Sequence, residues 1–214
     1  MTDVQILCLN PVVAVADGVF DAETAEAAIA AGRDNLVRAG VVGLGGRIEN
    51  EARTNRQALI DQWASPILTD LCTRVSALVR IPPENCEPAK LLHYEGDQKF
   101  DVHLDAYDGI LPGSVEPLRY GGQRLFTTLC YLNDVDDGGE TEFPRLSISV
   151  RARRGRVLIF GNTIPGTDLP HPHAVHAGRS VASGEKWVLS LWWRERVYHV
   201  PREYPDEEGS LRRI

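Results

Sequence analysis

The sequence has no Cys-x-x-Cys pair. Its cysteines, Cys8, Cys72, Cys86 and Cys130, are scattered, which argues against a zinc knuckle or a disulfide framework and for free thiols. It has no excess of positive charge either. With 23 Lys and Arg against 30 Asp and Glu the net charge is -7, so neither nucleic acid nor an anionic membrane surface is an expected partner. No apolar run is long enough to cross a bilayer, and Met1-Thr2-Asp3-Val4 lacks the basic stretch that opens a secretory signal; the expected compartment is the cytoplasm. Internal repeats, low-complexity tracts, a paired-carboxylate signature and a Ser-His-Asp signature are all missing. What is present is 43% hydrophobic content in 214 residues, enough for one sizeable core and short for two, so a single domain over 1–214 is expected.

Two regimes divide the chain. Between Asp21 and Gly40 an Ala-rich segment carries an Asp able to cap a first helical turn and a Gly able to follow the last. Ser65-Pro66 opens a second helical pattern, with Ile67, Leu71, Val75 and Leu78 at helical spacing, closed by Ile81-Pro82-Pro83. From about Ala89 the pattern changes to short runs of Val, Leu, Phe, Tyr and Trp between Gly and Pro clusters. Strands are expected at Ala89 to Tyr94, Gln123 to Leu132, Arg156 to Phe160 and Lys186 to Val197, with turns at Gly121-Gly122, Asp137-Gly138-Gly139 and Arg154-Gly155. Leu125 to Leu132 is apolar on both faces, as a strand between two layers should be. Helices first and strands afterwards predict an α+β fold. Residues 1–88 are read as mainly helical support, 89–200 as a sandwich or jelly-roll core, and 201–214 as a polar C-terminal tail.

The chemistry starts at Phe100-Asp101-Val102-His103-Leu104-Asp105. His103 and Asp105 stand two apart, which on extended chain aims both at one face and makes half a metal site. A third ligand must come from elsewhere, and the histidine-rich stretch is His171-Pro172-His173-Ala174-Val175-His176. Two imidazoles and one carboxylate form a facial triad with open coordination positions, diagnostic of non-haem iron(II) oxygenases. Spacing alone leaves His171, His173 and His176 equally open, and an isolated His-x-Asp is more often a solvated loop or a hydrogen-bonded pair.

The ordered set Tyr94-Glu95-Gly96-Asp97-Gln98-Lys99-Phe100, His103-x-Asp105, Arg124-x-x-Thr127-x-x-x-Tyr131-Leu132, Gly138-Gly139-Glu140-Thr141, His176-Ala177-Gly178 and Gly184-Glu185-Lys186-Trp187 resembles the prolyl 4-hydroxylase family of Fe(II)/2-oxoglutarate-dependent dioxygenases. Arg53-Thr54-Asn55 and Glu87-Pro88 extend the likeness into the first half. The resemblance implies a double-stranded β-helix (jelly roll, cupin-like) core braced by N-terminal helices, and an iron(II) held by His103, Asp105 and His176. It implies 2-oxoglutarate as co-substrate, O2 as oxidant and ascorbate as an accessory reductant. Lys186 matches the lysine that pairs with the distal carboxylate of 2-oxoglutarate; a dicarboxylate entering an apolar barrel needs a cation to offset its desolvation. Tyr94 resembles the tyrosine whose hydroxyl reaches the co-substrate, with Thr127 and Tyr131 as further candidates.

Alternation along the strand from Lys186 sends Val188, Ser190 and Trp192 to the same face, so Ser190 is placed with the co-substrate and Trp192 with the substrate. The implied reaction converts 2-oxoglutarate to succinate and CO2 and hydroxylates an unactivated C–H bond of a prolyl or related substrate, peptide, protein or free amino acid, with no tuned side-chain acid or base. Phe100 stands where the family has a tyrosine that helps hold prolyl peptides, and Arg119 is a candidate partner for a substrate carboxylate. The stretch Tyr107 to Gly122 is read as either a lid or a surface loop. The rivals are a zinc-dependent or cupin-type enzyme that is not an oxygenase, for which Lys186 has no use, and a non-catalytic binding module, for which the intact ligands have none.

Overall fold

Trp187, Leu189, Leu191 and Trp193 alternate along one chain segment with Lys186, Val188, Ser190 and Trp192, and every one of these side chains is buried. A strand buried on both faces needs a layer on each side. The computed structural model describes residues 3–43, 46–199, 203–205 and 211–213 and supplies both layers.

The chain opens with a hairpin, β1 (Val4–Leu9) and β2 (Val12–Ala16), followed by helix α1 (Ala22–Ala30). Short strands β3 (Val37–Arg38), β4 (Val41–Gly43), β5 (Gly46–Ile48) and β6 (Arg56–Ile60) lead to helix α2 (Pro66–Val79). Then come β7 (Ala89–Glu95), β8 (Phe100–His103), helix α3 (Pro112–Arg119) and β9 (Arg124–Tyr131). The last core strands are β10 (Thr141–Phe143), β11 (Ile148–Val150), β12 (Val157–Gly161), β13 (His176–Gly178) and β14 (Glu185–Arg194); β15 (Glu203–Pro205) pairs with β16 (Leu211–Arg213).

Two antiparallel sheets form the jelly roll. The larger runs β1-β2-β12-β9-β14-β7-β6-β3, the smaller β11-β10-β13-β8. Between them lies a core that joins Leu92, Leu129, Leu158, Phe160 and Val188 of the large sheet to Phe143 and Val150 of the small one. The opposite face of the large sheet packs Leu91, Cys130, Leu189 and Trp193 against Ala25 and Ala28 of α1 and Leu68, Leu71, Cys72 and Val75 of α2. The four strands expected from the later half of the sequence are all present, β14 stopping at Arg194 rather than reaching Val197.

The first 88 residues differ from the expectation of mainly helical support. They also contain β1, β2 and β6, which enlarge the main sheet. The Asp21 cap forms as read, its carboxylate accepting from Thr24 N at 2.9 Å. The helix stops at Ala30 instead of continuing to Gly40, because at Gly32 the backbone lies against the sheet: a Cβ there would meet Leu91 Cδ2 at 3.0 Å. The 201–214 segment lies largely outside the described residues. Among those residues no helix is long and apolar enough to cross a membrane.

One turn bears directly on the site. Gly138 and Gly139 both have positive φ, 74° and 67°. A Cβ on Gly138 would stand 2.6 Å from Ser180 O, and one on Gly139 would touch Lys186 Cδ at 3.4 Å. Gly138→Ala is expected to cost about 1–2 kcal/mol for the left-handed backbone alone. The clash adds to it, so thermal unfolding should move down by at least ~2–4 °C. An unchanged Tm would remove this turn from the account.

Candidate active site

Strand pairing brings the candidate ligands together. β8 and β13 are neighbours, and His176 is the register partner of His103. Asp105 follows two residues after His103. Its Oδ1 lies 3.7 Å from His103 Nε2 and its Oδ2 lies 3.6 Å from His176 Nε2. One ligand atom from each of the three residues falls within 4.8 Å of the others, a group able to hold a metal ion. His171 and His173 are not part of it. His171 turns to Asn10, Nε2 to Oδ1 at 3.2 Å, and its Nδ1 accepts from His173 N.

Both imidazoles are oriented through their other nitrogen. His103 Nδ1 lies 2.7 Å from Asp101 O and His176 Nδ1 lies 3.0 Å from Ala174 O. A carbonyl can only accept, so each Nδ1 carries a proton and Nε2 is the nitrogen that faces the other two residues. Burial, reinforced by His176, lowers the His103 pKa to about 3, so this ring is neutral across the physiological range. Burial raises the Asp105 pKa, but His176, His103 and Arg124 together outweigh it and hold the carboxyl well below its usual range. Two imidazole donors and an anion fit a divalent cation.

Thr127 is part of this centre in a role other than the one expected. It donates to Asp105 Oδ2 at 2.7 Å and accepts from Asn162 Nδ2 at 2.9 Å, which orients the carboxylate and leaves Thr127 off the cavity. Thr127→Val is expected to lower metal affinity by about 10–100-fold, as losses of a ligand's hydrogen-bond partner do. Iron(II) or cobalt(II) titration measures it, and an unchanged affinity would show the contact to be incidental. Tyr131 is likewise engaged elsewhere: its hydroxyl donates to Thr141 Oγ1 at 2.8 Å, and the cavity is lined by Thr141.

The triad opens into a cavity of about 1650 Å³ between the sheets. Lys186, Val188, Ser190 and Trp192 line it from β14, and Tyr94 lines it from β7, where it is the register partner of Lys186. Lys186 is 1% exposed, and among the described residues no carboxylate lies within ion-pair distance of its Nζ. That nitrogen lies 5.1 Å from the Tyr94 ring centre and 5.5 Å from that of Tyr131. Burial lowers its pKa to about 7, with Glu140 acting weakly the other way. The same burial pushes Tyr94 up to about 12, so its phenol stays protonated and able to donate. Ser190 Oγ is buried with no partner among the described residues. A buried cation and an orphaned hydroxyl on one wall fit an anionic ligand that carries its own acceptors.

Phe100 lines the cavity with its ring stacked on His103, centroids 3.4 Å apart and planes at 15°; the Arg53 guanidinium lies 4.3 Å from the same ring. Its position thus supports the ligand ring as much as it faces a substrate. Arg119 is exposed and does not line the cavity, which removes it as the expected partner of a substrate carboxylate. Helix geometry is the reason: α3 turns Gly113, Ser114 and Pro117 inward and Arg119 outward. The Tyr107 to Gly122 stretch, read as a lid or a loose loop, is built around this helix as a wall of the mouth. Arg124 and Arg194 do line the cavity and share Glu87: Arg124 donates to it at 2.6 and 2.8 Å, and Arg194 at 2.8 Å. Arg124 and Glu87 stood in the motifs without an assigned task, and Lys90 carried no signal in the sequence.

A jelly roll whose mouth gathers two histidines and an aspartate is the architecture of the mononuclear non-haem iron oxygenases. Residues 89–194 match the family described as the 2OG-Fe(II) oxygenase superfamily. Over that core the chain is similar to this superfamily, and its relatives are prolyl 4-hydroxylases. A relative from Acanthamoeba polyphaga mimivirus, named for prolyl 4-hydroxylation, is 33% identical over 153 residues, 70% of this chain and 62% of its own length. Prolyl 4-hydroxylase 5 of Arabidopsis thaliana is 28% identical over 218 residues, 92% of this chain and 73% of its own. The chain thus spans somewhat under two thirds of the viral relative. Among solved structures, the viral collagen prolyl hydroxylase of Paramecium bursaria Chlorella virus-1, in its 2OG complex, shares the fold with a TM-score of 0.65 at 23% identity; the match covers 88% of this chain and 98% of that one.

Proposed function

We propose that this protein is an iron(II)- and 2-oxoglutarate-dependent dioxygenase that hydroxylates a proline residue or a closely related C–H substrate, its 1–214 chain acting as one oxygenase domain. The observation that carries this reading is one cavity with the His103, Asp105, His176 group on one wall and the buried, unbridged Lys186 on another. A metalloenzyme without a dicarboxylate co-substrate has no use for a lysine buried this deeply, which costs stability in its absence.

His103, Asp105 and His176 would hold iron(II) through their Nε2 and carboxylate atoms, with Asp101, Ala174 and Thr127 fixing their orientation. Lys186 would pair with the distal carboxylate of 2-oxoglutarate, with the Ser190 hydroxyl and the Tyr94 phenol as additional donors. When bound, iron and 2-oxoglutarate supply the oxidising power, so that O2 and 2-oxoglutarate are consumed, succinate and CO2 are released and one oxygen atom is inserted into the substrate C–H bond. The protein contributes placement: Phe100 keeps His103 in plane, Trp192 borders the substrate end, and Leu92, Leu129 and Val188 keep the interior dry. Ascorbate would serve as the accessory reductant. Exposed Leu104, Leu111, Ile164 and Leu169 around the mouth favour a peptide segment lying across it over a fully enclosed free amino acid. The four free cysteines suit a reducing compartment, and the cytoplasm is the location proposed.

The decisive experiment loads the protein anaerobically with iron(II) and 2-oxoglutarate and admits O2 with proline-containing peptides or free proline. The expected result is succinate together with a product heavier by one oxygen atom. No product and no uncoupled succinate across all substrates would sink the proposal.

A further inference from the structure

Exposed apolar side chains are ordinary when they stand singly and informative when they gather. Around the cavity they gather. Leu59, Leu104, Leu111, Ile164 and Leu169 are all exposed and all line it, and Leu104 stands in sequence between two members of the His103, Asp105, His176 group. Among the described lining residues the only exposed charges are Asp108 and Arg145, which are opposite in sign. In a chain of net charge -7, this rim is both apolar and neutral.

Two segments of the rim are fastened to each other. Ile164 and Leu169 close a turn in which Ile164 N donates to Leu169 O at 2.9 Å, and Leu111 caps the start of α3. Buried Gln123 ties the bases of both: its Nε2 donates to Tyr107 O at 2.7 Å and to Asp168 O at 2.9 Å, and its Oε1 accepts from Tyr107 N at 2.8 Å. A rim fixed in this way needs little ordering when a chain docks on it. The cavity beneath, of about 1650 Å³, exceeds the about 300–1,000 Å³ of a small-molecule pocket. A co-substrate and a single amino acid therefore leave part of it unfilled.

We propose that the substrate is a polypeptide whose residues on either side of the hydroxylated one are apolar, and that Leu104, Leu111, Ile164 and Leu169 select it by burying those side chains. The proposal rests on the oxygenase reading, which puts the reacting residue in the cavity and its chain neighbours on the rim. An acidic or basic neighbour would lose hydration there and find no net opposite charge in exchange. A free amino acid would leave the rim uncovered.

The test titrates the protein, loaded anaerobically with iron(II) and 2-oxoglutarate, with capped Ala-Leu-Pro-Leu-Ala, with the same peptide carrying Ser, Glu or Lys in place of both Leu, and with free proline. The Leu peptide should bind about tenfold or more tightly than each of the others, the factor that burial of one such side chain supplies. Its affinity should be insensitive to salt, because no charge pair is made. Leu111→Ser combined with Leu169→Ser should shrink the preference several-fold, while Ile6→Ser, on β1 and no part of the lining, should leave it intact. All three residues are more than half exposed, so none of these changes removes core packing. Equal affinities, a preference for the Ser, Glu or Lys peptide or for free proline, no binding of any of them, an undiminished preference in the double variant, or an equal loss in Ile6→Ser would each overturn the rim's role. Admitting O2 to the same samples separates the two failures: succinate without an apolar preference rejects the rim alone, while no succinate under any condition rejects the oxygenase reading beneath it.

Discussion

Replacing Lys186 by alanine should weaken 2-oxoglutarate binding by roughly 30-fold to several thousand-fold, because truncating one partner of a buried ion pair costs about 2–5 kcal/mol. The lysine is 1% exposed, so no surface cation can substitute for it and no water can easily take its place. Metal binding, proposed to use His103, Asp105 and His176 instead, should persist, and this separates loss of the co-substrate from loss of the fold. The affinity should also depend on pH in a defined direction. Without an anion beside it, burial lowers the Lys186 pKa to about 7. A bound carboxylate favours the ammonium and raises that pKa. Binding is therefore strongest below about pH 7 and weakens as pH rises, by up to about tenfold per unit until the pKa of the bound state is passed. The KM for 2-oxoglutarate between pH 6 and 9 measures this, with Lys186→Arg as the comparison that stays charged and flattens the slope. A KM independent of pH in the wild type would refute the pairing. In the ligand-free protein the same shift means that the unfolded chain binds more protons than the folded one between about pH 7 and the ordinary lysine value of 10.5, so stability should rise with pH across that window.

His176→Ala should abolish iron binding at micromolar metal and turnover with it, whereas His171→Ala and His173→Ala should leave both within about twofold, as changes outside the site do. The loss at His176 should exceed the about 10–100-fold that changes to a ligand's hydrogen-bond partners produce. The contrast between neighbours in sequence makes this sharp. His176 faces His103 and Asp105, while His171 is occupied with Asn10 and the backbone of His173. Anaerobic titration with iron(II), checked by cobalt(II) absorption spectra, distinguishes the three. Retained stoichiometric metal in His176→Ala, or its loss in His171→Ala, would reassign the third ligand.

Much of this centre was legible because it is local. A His-x-Asp on extended chain faces one way, and β14 alternates between an apolar face for the helices and the Lys186, Val188, Ser190, Trp192 face for the cavity. The misreadings were of partners rather than of elements. Thr127 lies on the inward strand face as expected, yet its hydroxyl is taken by Asp105, and Tyr131 is taken by Thr141. Arg119 had the right chemistry on the wrong side of a helix that the Gly- and Pro-rich sequence did not announce. The first 88 residues were under-read in strands because β2 and β6 are short and pair with strands later in the chain, β12 and β7, a condition that periodicity does not record.

The sequence by itself determined the kinds of donor available, two histidines with an aspartate and a lysine among apolar neighbours, and the order of motifs that marks the superfamily. That His176, rather than His171 or His173, stands beside His103 and Asp105 was decided by the pairing of β13 with β8, and the meeting of Tyr94 with Lys186 on the cavity by the pairing of β7 with β14. Ligand identity follows from residue chemistry, which one position can state. Ligand geometry follows from strand register, which is set by packing between segments more than 70 residues apart.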